Sequence, residues 1–226
     1  MAAFFVISAP IIKLSPLYLN LISMIKNNVS PSLCFTFLLG SLLLALGIFA
    51  QITEPLMQFD RTLVNQGQWW RLMTSQLIHY GIYHLAMNII ALLLCGYILL
   101  RQLTLISYSG LLIVCISGVG AGLYYGETDL HFYAGFSGVL HGFIFAGLIL
   151  NWREAPWFYA LASLALVGKL FNEQSAGFDT NHPLLPVPVA VDAHLYGTLS
   201  GLIFASIILA ASLLRRRKNT PDELPK

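Results

Sequence analysis

The chain has 226 residues, 57% of them hydrophobic and only 10% charged, with a mean hydropathy of +0.74 and a formal net charge of +2. Soluble domains carry about 25% charged residues, so this composition excludes a water-soluble globular protein and indicates an all-α integral membrane protein. Nothing in it points to a nucleic-acid partner or to a cofactor.

Residues 1–31 read as an N-terminal extension. They are apolar but are interrupted by Pro10, Lys13 and Pro16. No charged segment precedes the apolar stretch and no small-residue cleavage site follows it, so a signal peptide is not expected. Six apolar runs follow within a domain of residues 32–214: roughly 33–50, 82–100, 105–125, 137–150, 157–171 and 193–214. Residues 215–226 form a basic, then polar, tail. Cys34, Cys95 and Cys115 lie inside apolar runs without disulfide or metal-ligand spacing, and read as small buried hydrophobes.

A helix needs about 20 residues to cross about 30 Å of hydrocarbon. The fourth run has 14 residues, about 21 Å at a rise of 1.5 Å per residue. Either the loop at 133–136 dips into the membrane, or the helix starts below the surface at the floor of a cavity. Irregular backbone is tolerated at depth where protein or water surrounds it.

Basic residues orient the spans. With a cytoplasmic C-terminus and six spans, the cytoplasmic side holds Lys13, Lys26, Arg101, Arg153, Arg215, Arg216, Arg217, Lys218 and Lys226, and the other side only Arg61 and Arg71. Trp69, Trp70, Trp152 and Trp157 fall at the expected interfaces.

In this orientation the even spans all begin at the extracytoplasmic face. His84 and Asn88 open the second, Ser137 and His141 the fourth, and His194 the sixth. Residues four apart share a helix face, so His84 with Asn88, and Ser137 with His141, point the same way. Strongly polar groups are costly in lipid. Several at one depth, from three helices, predict a polar cavity. Stripes of small residues, Gly138-Gly142-Ala146 and Ala193-Gly197-Gly201-Ala205, allow spans four and six to pack closely and bring Ser137 to His194.

A serine hydroxyl becomes a strong nucleophile when a base takes its proton. His194 is the candidate base. Asn88, His84 and the Ser137 N–H at a helix start are candidate donors to an oxyanion. No carboxylate lies inside these spans, and Asp192 projects away from His194 along its helix, so a Ser-His dyad is expected.

Four motifs now stand in order: Trp70-Arg71 followed by Thr74, His84-x-x-x-Asn88, Gly135-x-Ser137-Gly138, and His194-x-x-Gly197. Together they resemble the rhomboid family of intramembrane serine proteases, over about residues 59–214. The resemblance implies a six-transmembrane-helix rhomboid bundle with a short fourth helix whose start is buried. It also implies Ser137 as nucleophile, His194 as base, and His84, Asn88 and Ser137 as the oxyanion site. Arg71 resembles an arginine that holds a half-embedded first loop. No metal or cofactor is implied.

Many rhomboids carry tyrosine four residues after the serine, where this chain has His141. The stretch Gly135–Gly142, with Phe59-Asp60-Arg61, Lys169 with Glu173, and Asp192–Gly197, resembles the rhombosortase branch. That branch implies substrates anchored in the bilayer by a C-terminal glycine-rich motif, a transmembrane helix and a basic tail. It implies residence in a bacterial inner membrane, with both termini cytoplasmic and the site open to the periplasm. His141 is expected to stack on or bond to His194 and fix its tautomer, or to line a pocket for the glycines. Lys169 and Glu173 form either a local i,i+4 ion pair or a contact to polar substrate features. Pro183, Pro186, Pro188 and Gly177 suit a mobile cap before the sixth span. The alternatives are a protease for other single-span substrates, a non-cleaving client-binding relative, and a transporter with a metal on His84, His141 and His194.

Overall fold

The computed structural model describes residues 30–219, with side chains described as far as Arg215. The expected extension at 1–31 and the end of the tail therefore lie almost wholly outside the described residues. The helices run in the order α1 (Pro31–Ile48), α2 (Ala50–Met57), α3 (Arg61–Asn65), α4 (Arg71–Thr74), α5 (Ile82–Ile98), α6 (Leu105–Gly126), α7 (Ser137–Leu150), α8 (Pro156–Glu173) and α9 (Val191–Asn219). Two-residue strands β1 (Phe59–Asp60) and β2 (Phe132–Tyr133) pair antiparallel, Phe59 opposite Tyr133.

Local chemistry explains several boundaries. Asp60 caps α3 by accepting from the Leu63 N–H at 3.1 Å, and Thr104 caps α6 by accepting from the Ser107 N–H at 3.2 Å. Pro156 opens α8, where its missing N–H is not needed. Gly81, at φ 87°, reverses the chain between the Ser75–Leu77 turn and α5. Helices on either side of that break meet at 86°.

Among the described residues three helices, α1, α6 and α9, are long and apolar enough to cross a membrane, and the bent pair Arg71–Leu77 with Ile82–Ile98 counts as a fourth if it forms one span. At 14 residues, α7 is apolar but too short to cross. It is also the most enclosed helix. Val139, Phe143 and Ala146 are fully buried, and its main neighbour is α9. Tyr108, Leu111 and Cys115 of α6 and Leu92 of α5 complete the core around it.

The segment between α1 and α5 is tied down by two arginines. Arg61 donates to the carbonyls of Leu123, Tyr124, Glu127 and Leu130 at 2.6–3.0 Å. Leu123 and Tyr124 are in the last turn of α6 and Glu127 follows it, a helix end where a cation is favoured, and Leu130 lies in the loop beyond. Arg71 is 3% exposed. It donates to the carbonyls of Gln58 and Pro55 and to Gln68 Oε1 at 2.7–2.9 Å, and Thr74 donates to the Met57 carbonyl at 2.8 Å. Arg71 is thus an internal strap across α2 and α4. Removing it breaks three charge-assisted bonds to part-buried acceptors, each worth about 1.5–3 kcal/mol. Arg71→Ala is expected to lower stability by at least about 2 kcal/mol, read as a fall in the unfolding midpoint in detergent. An unchanged midpoint would show that these bonds contribute little.

Candidate active site

Ser137 is the first residue of α7, and its Oγ lies 3.0 Å from His194 Nε2 on α9. Small residues permit that approach. A Cβ on Gly138 would lie 2.7 Å from the Ala193 carbonyl oxygen, and one on Gly142 would lie 2.5 Å from that of Gly197. The helix backbones are therefore in direct contact across the site.

The loop before Ser137 is held at several polar points. Gly135 N–H donates to the Ser75 carbonyl at 3.0 Å. Tyr133 donates its hydroxyl to the Gly135 carbonyl at 2.6 Å. Burial pushes that phenol well above its usual range, so it stays a donor. Phe136 N–H points at His79 Nε2 at 3.4 Å, and burial, with His84 beside it, lowers His79 to about 3, so the ring is neutral and can accept. Gly135 has φ 150°, and a Cβ there would meet His84 Cε1 at 2.7 Å. Only glycine suits this point.

The Gly138 N–H reaches the Tyr133 hydroxyl, while the Ser137 N–H, at the start of α7, has no earlier carbonyl of the helix to take it. His84 and Asn88 stand on α5 opposite. Asn88 is 4% exposed and gives one amide hydrogen to the His84 carbonyl at 3.0 Å. Its second amide hydrogen remains for another acceptor.

His141 stacks on His194, with ring centroids 4.0 Å apart and planes 17° from parallel. Its Nδ1 lies 2.8 Å from the Ser137 carbonyl and its Nε2 3.1 Å from Lys169 Nζ. Lys169 also bonds Glu173. Both Glu173 oxygens lie 3.1 Å from His194 Nδ1.

This last contact corrects the expected dyad. A carboxylate does reach the histidine, and it comes from the end of α8 rather than from α9. Asp192 lines the chamber on the other side of Ser137 and does not bond His194. The Lys169–Glu173 pair is likewise more than local, since each member also touches a histidine.

Two cavities meet at the serine. One, of about 450 Å³, is lined by Tyr80, Glu127, Asp129, Tyr133 and Asp192. The other, of about 420 Å³, is more apolar and is lined by Met87, Asn88, Leu140, His141, Ile144 and Lys169. Both include Ser137, His84, Leu185 and Val189. The proline-rich loop before α9 therefore roofs the site.

His141, Glu173 and His194 offer three ligand atoms within 4.8 Å of one another. A divalent ion there would have to displace the Lys169 ammonium from two of them. Both ring nitrogens of His194 are also already paired. The donor set suits a proton network better than a cation. His84 is not part of that ligand set, so the three histidines weighed as a metal site do not form one among the described residues.

All the expected site residues except Arg71 gather within these two cavities. His79 and Tyr133, which hold the loop, were not anticipated.

The Rhomboid domain family model matches residues 66–211. Rhomboid protease GluP of Bacillus subtilis (strain 168) is 49% identical over 43 residues, which are 18% of this chain and 8% of that protein. The match thus spans under a tenth of that relative's length.

Proposed function

The chain belongs to the rhomboid family, and we propose that it is an intramembrane serine endopeptidase acting on proteins anchored in the bilayer. The observation that carries the reading is the 3.0 Å bond between Ser137 Oγ and His194 Nε2 at the start of a buried helix, where two cavities meet.

His194 Nε2 takes the Ser137 proton as Oγ attacks the substrate carbonyl carbon. The oxyanion formed accepts from the Ser137 N–H, the Asn88 amide and a ring N–H of His84. His194 then donates its proton to the leaving amine, which leaves an ester on Ser137. A water deprotonated by His194 hydrolyses that ester and regenerates the hydroxyl. The two cavities accommodate the chain on either side of the scissile bond.

The domain comprises six membrane spans over residues 32–214, with α7 the short fourth. Its termini face the cytoplasm of a bacterial inner membrane and its site faces the periplasm, in keeping with the basic residues Arg215–Lys218 at the end of α9. The substrates carry a glycine-rich motif before a transmembrane helix and a basic tail, and cleavage releases them from that anchor. Glycine weakens a helix by about 1 kcal/mol per residue relative to alanine. A glycine pair at the membrane edge therefore lets the backbone unwind into the crowded site. His141 supports this branch of the family, because its ring covers one face of His194 and lines the apolar cavity.

The test is a purified-enzyme assay on a model substrate with Gly-Gly, a helix and a basic tail, beside the same substrate with Ala-Ala. Cleavage of the first alone is expected. Equal cleavage of both would leave a general protease of single-span proteins, and cleavage of neither would favour a client-binding protein. In the same assay His141→Ala is expected to lower turnover by up to about tenfold, because the ring stacked on His194 is lost and a stacked pair contributes about 0.5–1.5 kcal/mol. Full turnover would remove His141 from the account.

A further inference from the structure

The hydrogen bonds around Ser137 close into a ring, and every member can donate and accept in only one sense. The Ser137 carbonyl can only accept, so His141 carries its proton on Nδ1. His141 Nε2 must then accept, and it faces the Lys169 ammonium, which can only donate. Lys169 donates a second time to Glu173. That pairing favours the ionised carboxylate, a pure acceptor. Glu173 therefore requires a proton on His194 Nδ1. The lone pair of His194 is left on Nε2, facing the Ser137 hydroxyl.

We infer that Glu173 is the third member of the catalytic constellation, a positioning residue that sets the tautomer of His194 and stabilises its imidazolium. Lys169 keeps the carboxylate ionised and aimed, and His141 returns the chain of bonds to the backbone of the nucleophile. The site works as a Ser-His-Glu triad with its acid supplied by α8. Glu173 is 8% exposed and His194 5% exposed. Water is largely excluded between them, and the charge acts at close range. The kinetic consequence rests on the protease reading above, whereas the tautomer does not.

Glutamine in place of Glu173 separates positioning from simple packing. It keeps the shape and can still bond Lys169 through its oxygen, which turns its NH2 toward His194 Nδ1. That nitrogen must then accept, so the ring proton moves to Nε2, where it blocks the Ser137 hydroxyl. Glu173→Gln is expected to lower kcat by about 10³–10⁴-fold, comparable to the loss when the orienting carboxylate of a serine protease becomes an amide. KM should change by less than about threefold, since the residue acts on chemistry rather than uniform binding. Glu173→Ala, which removes the bias without reversing it, is expected to fall less.

The second readout is the 15N spectrum of histidine-labelled protein at alkaline pH, with His194 assigned by its substitution. Wild type should show the proton on Nδ1, and Glu173→Gln should show it on Nε2. A Glu173→Gln enzyme with wild-type kcat, or one whose His194 keeps the Nδ1 proton, would overturn the inference and leave Glu173 as a local ion-pair partner. If wild type cleaves nothing, the protease reading fails, and the ring spectra still decide whether Glu173 governs the tautomer.

Discussion

Ser137→Ala is expected to lower cleavage by about 10⁴–10⁶-fold, the range seen when the nucleophile of a serine hydrolase is removed, while the protein stays folded. The Oγ bonds His194 and lies within reach of the Tyr133 hydroxyl, and its removal leaves His194 Nδ1 paired with Glu173. His194→Ala should cost a similar factor, because a serine hydroxyl without its base is a poor nucleophile. The double variant should be no worse than either single one. Residues that act as one unit lose their function together, so their effects do not multiply. Cleavage assays on the four proteins in parallel, with unfolding midpoints recorded for each, check this. Multiplicative losses would mean that the two residues act separately.

The other large effect is on the fold. A Cβ on Gly197 would overlap the Gly138 carbonyl oxygen, and one on Gly201 would overlap that of Gly142. These neighbours are helix backbone, so they cannot rotate out of the way. Gly197→Leu must push α9 off α7 and open the Ser137–His194 bond at the same crossing. Loss of more than about 4 kcal/mol is expected, at the upper end for single substitutions, with no residual activity. Gly197→Ala should already lower the unfolding midpoint. Gly168 on α8 is the control, since nothing lies within 4 Å of the position of its Cβ. Gly168→Ala should leave the midpoint unchanged or raise it, because alanine is favoured over glycine in helices by about 1 kcal/mol. Equal tolerance at both positions would contradict the close crossing of α7 and α9.

Helix positions and local pairs were readable from the sequence where the signal is local. The fourth apolar run coincides with α7 because polar Asn151 ends it at one side and Gly135 breaks the chain at the other. His84 with Asn88, and Ser137 with His141, share faces because i,i+4 spacing is a property of one helix. Glu173 escaped for the opposite reason. It meets His194 from 21 residues away, across a loop whose path no periodicity encodes. Its spacing to Lys169 was visible and that pair forms, but the spacing carries no information about His194. His79 sits between Leu77 and Gly81 in a stretch with neither helical nor strand period, so its contact with Phe136 carried no pattern. Strands of two residues are likewise too short for alternation to register. Arg71 was expected to hold the first loop, but nothing in the sequence named its acceptors. Its burial becomes evident only once α2 folds back over it.

The central claim is that Ser137 is a hydroxyl activated by His194. The most direct measurement is reaction of the detergent-solubilised protein with a fluorophosphonate, followed by peptide mass mapping of the adduct. The account predicts one adduct, on Ser137, formed by the wild-type chain and lost in His194→Ala. An adduct on another residue, or equal labelling of Ser137 in His194→Ala, would contradict it.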